Sequence, residues 1–173
     1  MLAAVLAPYK PHARYLKRAW FAHLREGDTS RADCIARIRG DFGIEASCYI
    51  DDTGHLNSVE VNICYNQIMY LLFAQCVEER ILPVLAHMDS AEYRRRMLPD
   101  MLIHDLRAVF KKPIDARAFQ GEMRLLSATR RPRFIIFKTV SSFHDAAGGR
   151  ADLQVSLALV DDASGASSGK DRP

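Results

Sequence analysis

The residue types best suited to chemistry gather in one short stretch, 49–60, YIDDTGHLNSVE. Histidine is the side chain that ordinarily exchanges its proton near neutrality, so His55 is the candidate general base. Gly54 beside it lets a ligand come close to the backbone. If the turn feeds a helix, backbone N–H groups at that helix N-terminus can stabilise negative charge developing on a carbonyl oxygen. Thr53 and Asn57 either hydrogen-bond a substrate or serve the turn and the helix cap. Glu60 is an acid in apolar surroundings; it either belongs to the first helical turn or orients His55. The plainer reading of His55 is that it satisfies the turn.

What must position this stretch comes next. From Tyr65 to Val77 only Asn66, Gln67 and Gln75 interrupt an apolar run without Gly or Pro. A helix apolar on every side must be covered on every side. This one is too short and too interrupted to span a bilayer. Two strands are expected before it, at 14–24 and 33–39, joined through the turn Glu26–Ser30 and ended by Gly40 and Gly43. Asp89 or Ser90 caps a second helix, with Glu92 placed to answer the cap, Arg94–Arg96 solvated and Pro99 as the stop. Four runs follow, at 101–112, 119–128, 133–143 and 151–160, spaced for antiparallel meander pairs. One buried helix with a long antiparallel sheet around it is an α+β arrangement, the hot-dog fold, which usually dimerises by joining two sheets edge to edge.

Composition limits the function. At 173 residues the chain fits one domain, 1–161, followed by a disordered tail at 162–173 with no apolar side chain larger than alanine. A net charge of +3 is too weak to argue for nucleic acid. Cys34, Cys48, Cys64 and Cys76 form no CxxC pair; they read as buried reduced thiols, which implies a cytoplasmic protein with no metal site and no disulfide framework. The opening MLAAVLAPYKP lacks the basic region and cleavage pattern of a signal peptide.

Two segments, YIDDTGHLNSVE and CYNQIMYLLFA, resemble the signature of the FcoT-type fatty-acyl thioesterases, a hot-dog family. MLIHDLRAVFKKPIDARAF, PRFIIFKTV and LQVSLALV fall where that family's later strands lie, so the resemblance covers roughly 5–160. It implies action on acyl thioesters carried by CoA or an acyl carrier protein, with no further cofactor. One trade of the family is hydrolysis of long-chain acyl thioesters. The other, in the ScoD-like branch of natural-product pathways, adds glycine to an α,β-unsaturated acyl thioester. This sequence departs from the mycobacterial pattern at several strand positions, among them Glu122. By resemblance, Tyr49, Tyr65 and Asn66 lie around the thioester, and Met69, Leu72 and Phe73 line an acyl channel or simply fill the core. Glycine's carboxylate would need a cation, for which Arg107, Lys111 and Lys112 are candidates. Arg94–Arg96 and Arg130–Arg131 are solvated or meet an acidic carrier. Enolate charge from amine addition and the oxyanion of hydrolysis sit on the same oxygen, so one site suits either nucleophile. A simple thioesterase and a non-catalytic acyl-binding protein are the competing readings.

Overall fold

The computed structural model describes residues 1–23, 34–51 and 53–161; the expected turn at 26–30, Asp52 and the tail at 162–173 lie outside the described residues. A short helix α1 (Leu2–Leu6) and a 3-10 turn at Pro11–Ala13 lead into strands β1 (Leu16–His23) and β2 (Ala36–Phe42). The long helix α2 (Ser58–Glu78) follows, then a 3-10 turn at Pro83–Leu85 and helix α3 (Ser90–Arg96). Strands β3 (Met101–Lys112), β4 (Phe119–Arg130), β5 (Phe134–His144) and β6 (Arg150–Val160) complete the chain. All six strands form one antiparallel sheet in the order β1-β2-β4-β5-β6-β3. It wraps α2 in the hot-dog manner.

α2 is buried because its composition leaves no face for water. Cys64, Tyr65, Ile68, Met69, Leu72, Phe73 and Cys76 are all at most 1% exposed, and the Phe73 ring lies 4.5 Å from Phe137 of β5. Burying each large apolar side chain contributes about 1.5–3 kcal/mol. The one polar side chain sealed among them has a task. Gln67 accepts hydrogen bonds from the backbone N–H of Tyr15 (3.0 Å) and Leu16 (2.9 Å) and donates to the Ala13 carbonyl (2.6 Å), fastening the start of β1 to the helix.

The sheet departs from the expected meander in one place, and this shapes the site. β4, β5 and β6 are consecutive neighbours, but β3 pairs with β6, while β4 crosses over to pair with β2. The connection 113–118 therefore passes over the N-terminal end of α2. β2 also runs through Gly40 instead of ending there. Gly40 faces Gly121 in register, and a Cβ at either would come within 2.5 Å of Leu16 Cδ1 or 2.7 Å of the Phe143 ring. Close packing, not chain reversal, requires glycine at both positions.

In α3, the Asp89 carboxylate caps the Glu92 N–H at 2.7 Å, but the Glu92 side chain turns to Arg96 at 3.3 Å instead of answering the cap. Arg96 is held by Asp100 at 2.7 Å and by the Val160 carbonyl, so it does not belong with the exposed Arg94 and Arg95. All four cysteines are free thiols. Burial raises Cys64 and Cys76, the latter to about 12, whereas Cys34 and Cys48 are only half-buried, against the expectation for all four. Among the described residues no helix is long and apolar enough to cross a membrane.

Candidate active site

The N-terminus of α2 is fixed by its own sequence. Asn57 is the cap; its Oδ1 accepts from the N–H groups of Val59 (3.0 Å) and Glu60 (3.1 Å) and from the Tyr49 hydroxyl (2.9 Å). The Glu60 carboxylate accepts from the Asn57 N–H at 3.3 Å, closing a capping box. Only an oxygen can accept from two backbone N–H groups, so the orientation of the Asn57 amide is fixed. Its Nδ2 is buried and has no hydrogen-bond partner among the described residues. A buried donor left unpaired is costly unless something else satisfies it.

The preceding turn holds its shape through Gly54, whose φ of 74° suits a residue without Cβ, and through the Thr53 hydroxyl, which donates to the His55 carbonyl at 2.8 Å. The His55 side chain is exposed at the tip. Two other segments close round it. Residues 44–51 are pinned by the Ile44 N–H to the Ala116 carbonyl (2.8 Å) and by the Cys48 N–H to the Tyr15 hydroxyl (3.1 Å). Residues 113–118 are pinned by the Leu56 N–H to the Ile114 carbonyl (2.9 Å), the Asp115 N–H to Asp145 (2.7 Å) and the Arg117 N–H to Asp115 (2.9 Å).

These three segments enclose a cleft of about 480 Å³ lined by Ser47, Asp51, Thr53, Gly54, His55 and Glu60, with Glu45 and Arg117 at its walls. On the other side of His55 a second opening of about 470 Å³ is lined by Asn57, Ser58, Phe110, Lys111 and Lys112. His55 thus stands between two spaces, one whose charged lining is mostly acidic and the other walled by the end of β3.

The structure brings together Tyr49, Thr53, Gly54, His55, Asn57 and Glu60. It places Glu60 in the cap, 3% exposed, with its carboxylate on the Asn57 N–H. The helix N–H groups expected to face a substrate are partly spent: Val59 and Glu60 on Asn57, and Asn57 on Glu60. Among the described residues the Asn57 side-chain amide is a buried donor left unpaired at this point.

Other candidates lie elsewhere. Tyr65 is sealed in the core with its hydroxyl 2.8 Å from Thr139, and burial pushes its phenol up. Met69 and Phe73 are core residues, 1% and 0% exposed, and Asn66 is half-buried about two turns along α2. Arg107 pairs with Gln154 on the face of the sheet turned away from α2. Lys111 is ion-paired with Asp152 at 2.5 Å, and Lys112 donates to the Ala147 carbonyl. Glu122 lies on the outer face with Arg39 at 2.7 Å, remote from the cleft. Arg130 is ion-paired with Asp161.

Three residues of the site carry no local signal in the sequence. Tyr15, 1% exposed, holds the 47–48 wall in place. Ser47 has a buried hydroxyl without a partner among the described residues. Arg117 enters through the crossover after β3.

Comparison with known proteins places the whole chain. The FcoT-like thioesterase domain family matches residues 4–159. A protein of Streptomyces coeruleorubidus named (2E)-enoyl-[ACP] glycyltransferase is 41% identical, over 92% of this chain and 95% of its own length. A protein of the same name from Mycobacterium marinum is 32% identical over 92% of this chain and 85% of its own. A solved structure from Shewanella oneidensis with a provisional thioesterase name superposes with a TM-score of 0.53 at 10% identity, covering 92% of this chain and 95% of that one. One from Syntrophus aciditrophicus, named likewise, gives 0.53 at 10% identity over 91% and 95%. At such identity these structures speak for the fold alone.

Proposed function

Because this chain belongs to the FcoT-like thioesterase family, we propose that it adds glycine to an α,β-unsaturated acyl chain held as a thioester on an acyl carrier protein or CoA. The product is an N-carboxymethyl-3-aminoacyl thioester, made for natural-product biosynthesis; water attacking the carbonyl carbon instead hydrolyses the thioester and releases the carrier thiol. The observation that carries this reading is the 41% identity, over nearly the full length of both chains, to a protein named for that transfer.

The site suits the chemistry. The thioester carbonyl oxygen accepts from Asn57 Nδ2, a buried donor that has no partner among the described residues. Its orientation is set before substrate arrives, as electrostatic stabilisation of a developing oxyanion requires. His55 takes the proton that the glycine ammonium must lose. The amine nitrogen then bonds to Cβ, the π pair moves to the carbonyl oxygen as an enolate, and the proton returns from His55 to Cα. Atoms and charge balance without a cofactor. A base in this role contributes about 10²–10⁴-fold. Tyr49 and Thr53 hold Asn57 and the His55 loop, and Gly54 leaves room for the carrier arm.

The working form is a homodimer in the cytoplasm. β3 is an edge strand, exposed along nearly its whole length, with Leu102, Ile103, Leu106, Val109 and Phe110 each at least 38% accessible. A long apolar edge of this kind is a liability unless another strand covers it. A second copy joined there would also roof the opening between His55 and Phe110. Leu106→Asp is expected to convert a dimer to a monomer in sedimentation velocity and to lower activity; an unchanged dimer would remove β3 from the interface.

The reaction is tested by incubating the protein with a (2E)-enoyl thioester and glycine and following the conjugated double bond and the product mass. Glycine-dependent loss of the enoyl absorbance is expected. Thiol release with no glycine adduct would leave a plain thioesterase.

A further inference from the structure

We infer that Arg117 binds the carboxylate of the incoming glycine and thereby selects an amino acid over a simple amine. This inference rests on the functional reading above. Its basis is the charge pattern of the cleft. Glu45, Asp51, Glu60 and Asp115 make its lining acidic, and Arg117 is its one Lys or Arg among the described residues. A wall of carboxylates with a single guanidinium fits a zwitterion, whose ammonium is welcome on most of the surface and whose carboxylate is welcome at one place only.

The segment that carries Arg117 is held in place. The Arg117 backbone is fixed from two sides: its N–H is capped by Asp115 at 2.9 Å, and Gly43 packs so closely that a Cβ there would lie 2.9 Å from the Arg117 carbonyl oxygen. Asp115, the acid two residues away, is otherwise engaged, since its carboxylate serves that backbone N–H. No ion pair is formed by Arg117 among the described residues. The other candidate cations fail on geometry: Arg107 faces away from α2, and Lys111 is spent on Asp152. A guanidinium also offers the two parallel donors that match a carboxylate, which an ammonium does not.

Glycine and glycinamide are compared as nucleophiles on two enoyl thioesters, one on CoA and one on the phosphate-free N-acetylcysteamine, using wild type, Arg117→Ala and Arg117→Lys. Arg117→Ala is expected to raise the KM for glycine about 10- to 100-fold on both thioesters. Its KM for the enoyl thioester and its rate with glycinamide should stay near wild type, and Arg117→Lys should fall between. An unchanged glycine KM overturns the inference. A rise confined to the KM for the CoA thioester also overturns it, because Arg117 would then be reading the carrier's phosphates. Wild-type protein that adds no glycine to either thioester overturns the functional reading and this inference with it.

Discussion

Replacing Asn57 with aspartate keeps the helix cap and removes the proposed oxyanion donor. Oδ1 takes two backbone N–H groups and the Tyr49 hydroxyl, and a carboxylate oxygen can take all three. Aspartate caps as well as asparagine and places its charge favourably at a helix N-terminus. Nδ2, however, is lost. Removing one oxyanion donor costs about 10²–10³ in kcat, or about 2.7–4 kcal/mol. Asn57→Ala loses the cap as well, about 0.5–2 kcal/mol, which lowers Tm by about 2–4 °C per kcal/mol in a chain of this size. Asn57→Ser, a neutral cap, controls for the charge placed beside Glu60. The paired assays are thermal unfolding by circular dichroism and turnover of a (2E)-enoyl thioester with glycine. The aspartate and serine variants should melt within about 2 °C of wild type and turn over at least about 100-fold more slowly. A stable aspartate variant with wild-type kcat would refute the donor role. An alanine variant with unchanged Tm would refute the cap.

Gln67→Leu strands two buried N–H groups and one carbonyl where β1 begins, at about 1–3 kcal/mol each before relaxation. A loss of at least about 3 kcal/mol in urea unfolding is expected, a large part of the 5–15 kcal/mol typical of a domain; a loss below about 1 kcal/mol would mean the clamp is dispensable. The Asp145 carboxyl is held below its ordinary range, first by the Asp115 N–H and then by the Gly149 N–H. A carboxyl depressed in the folded state stabilises above its unfolded value, about 3.9, and that contribution is lost as pH falls through the folded value. Wild type should therefore melt above Asp145→Ala at pH 6, with the gap closing below about pH 3.9; a gap that persists in acid would exclude this carboxylate as its source.

What could be read from the sequence was whatever depends on local pattern. The apolar run from Tyr65 to Val77 announced a helix with no solvent face. Alternation in 151–160 announced a strand buried on one side, and β3 began and ended where its run did. The capping residues Asn57 and Asp89 were visible because a cap needs only its own first turn. The failures are non-local. Spacing alone favours pairing β3 with β4, and nothing near residue 113 says that the chain will cross to β2. That crossover is what delivers Arg117 to the cleft, a residue that neither local pattern nor the resemblance singled out beside Arg107, Lys111 and Lys112. Gly40 read as a strand end because glycine punctuates turns; its real reason, the Leu16 side chain and the Arg18 carbonyl oxygen, lies on the neighbouring strand β1. Tyr65 was a site candidate by resemblance and proved to be core, its hydroxyl satisfied by Thr139 from β5.

The central claim is that glycine becomes part of the carried acyl chain through a site built on His55 and Asn57. The most direct measurement is the intact mass of an acyl carrier protein loaded with a (2E)-enoyl chain, before and after exposure to this protein and glycine. The predicted result is a carrier heavier by one whole glycine, formed about 10²–10⁴-fold more slowly by His55→Gln at unchanged Tm. A carrier that simply loses its acyl chain at the same rate with and without glycine would contradict it.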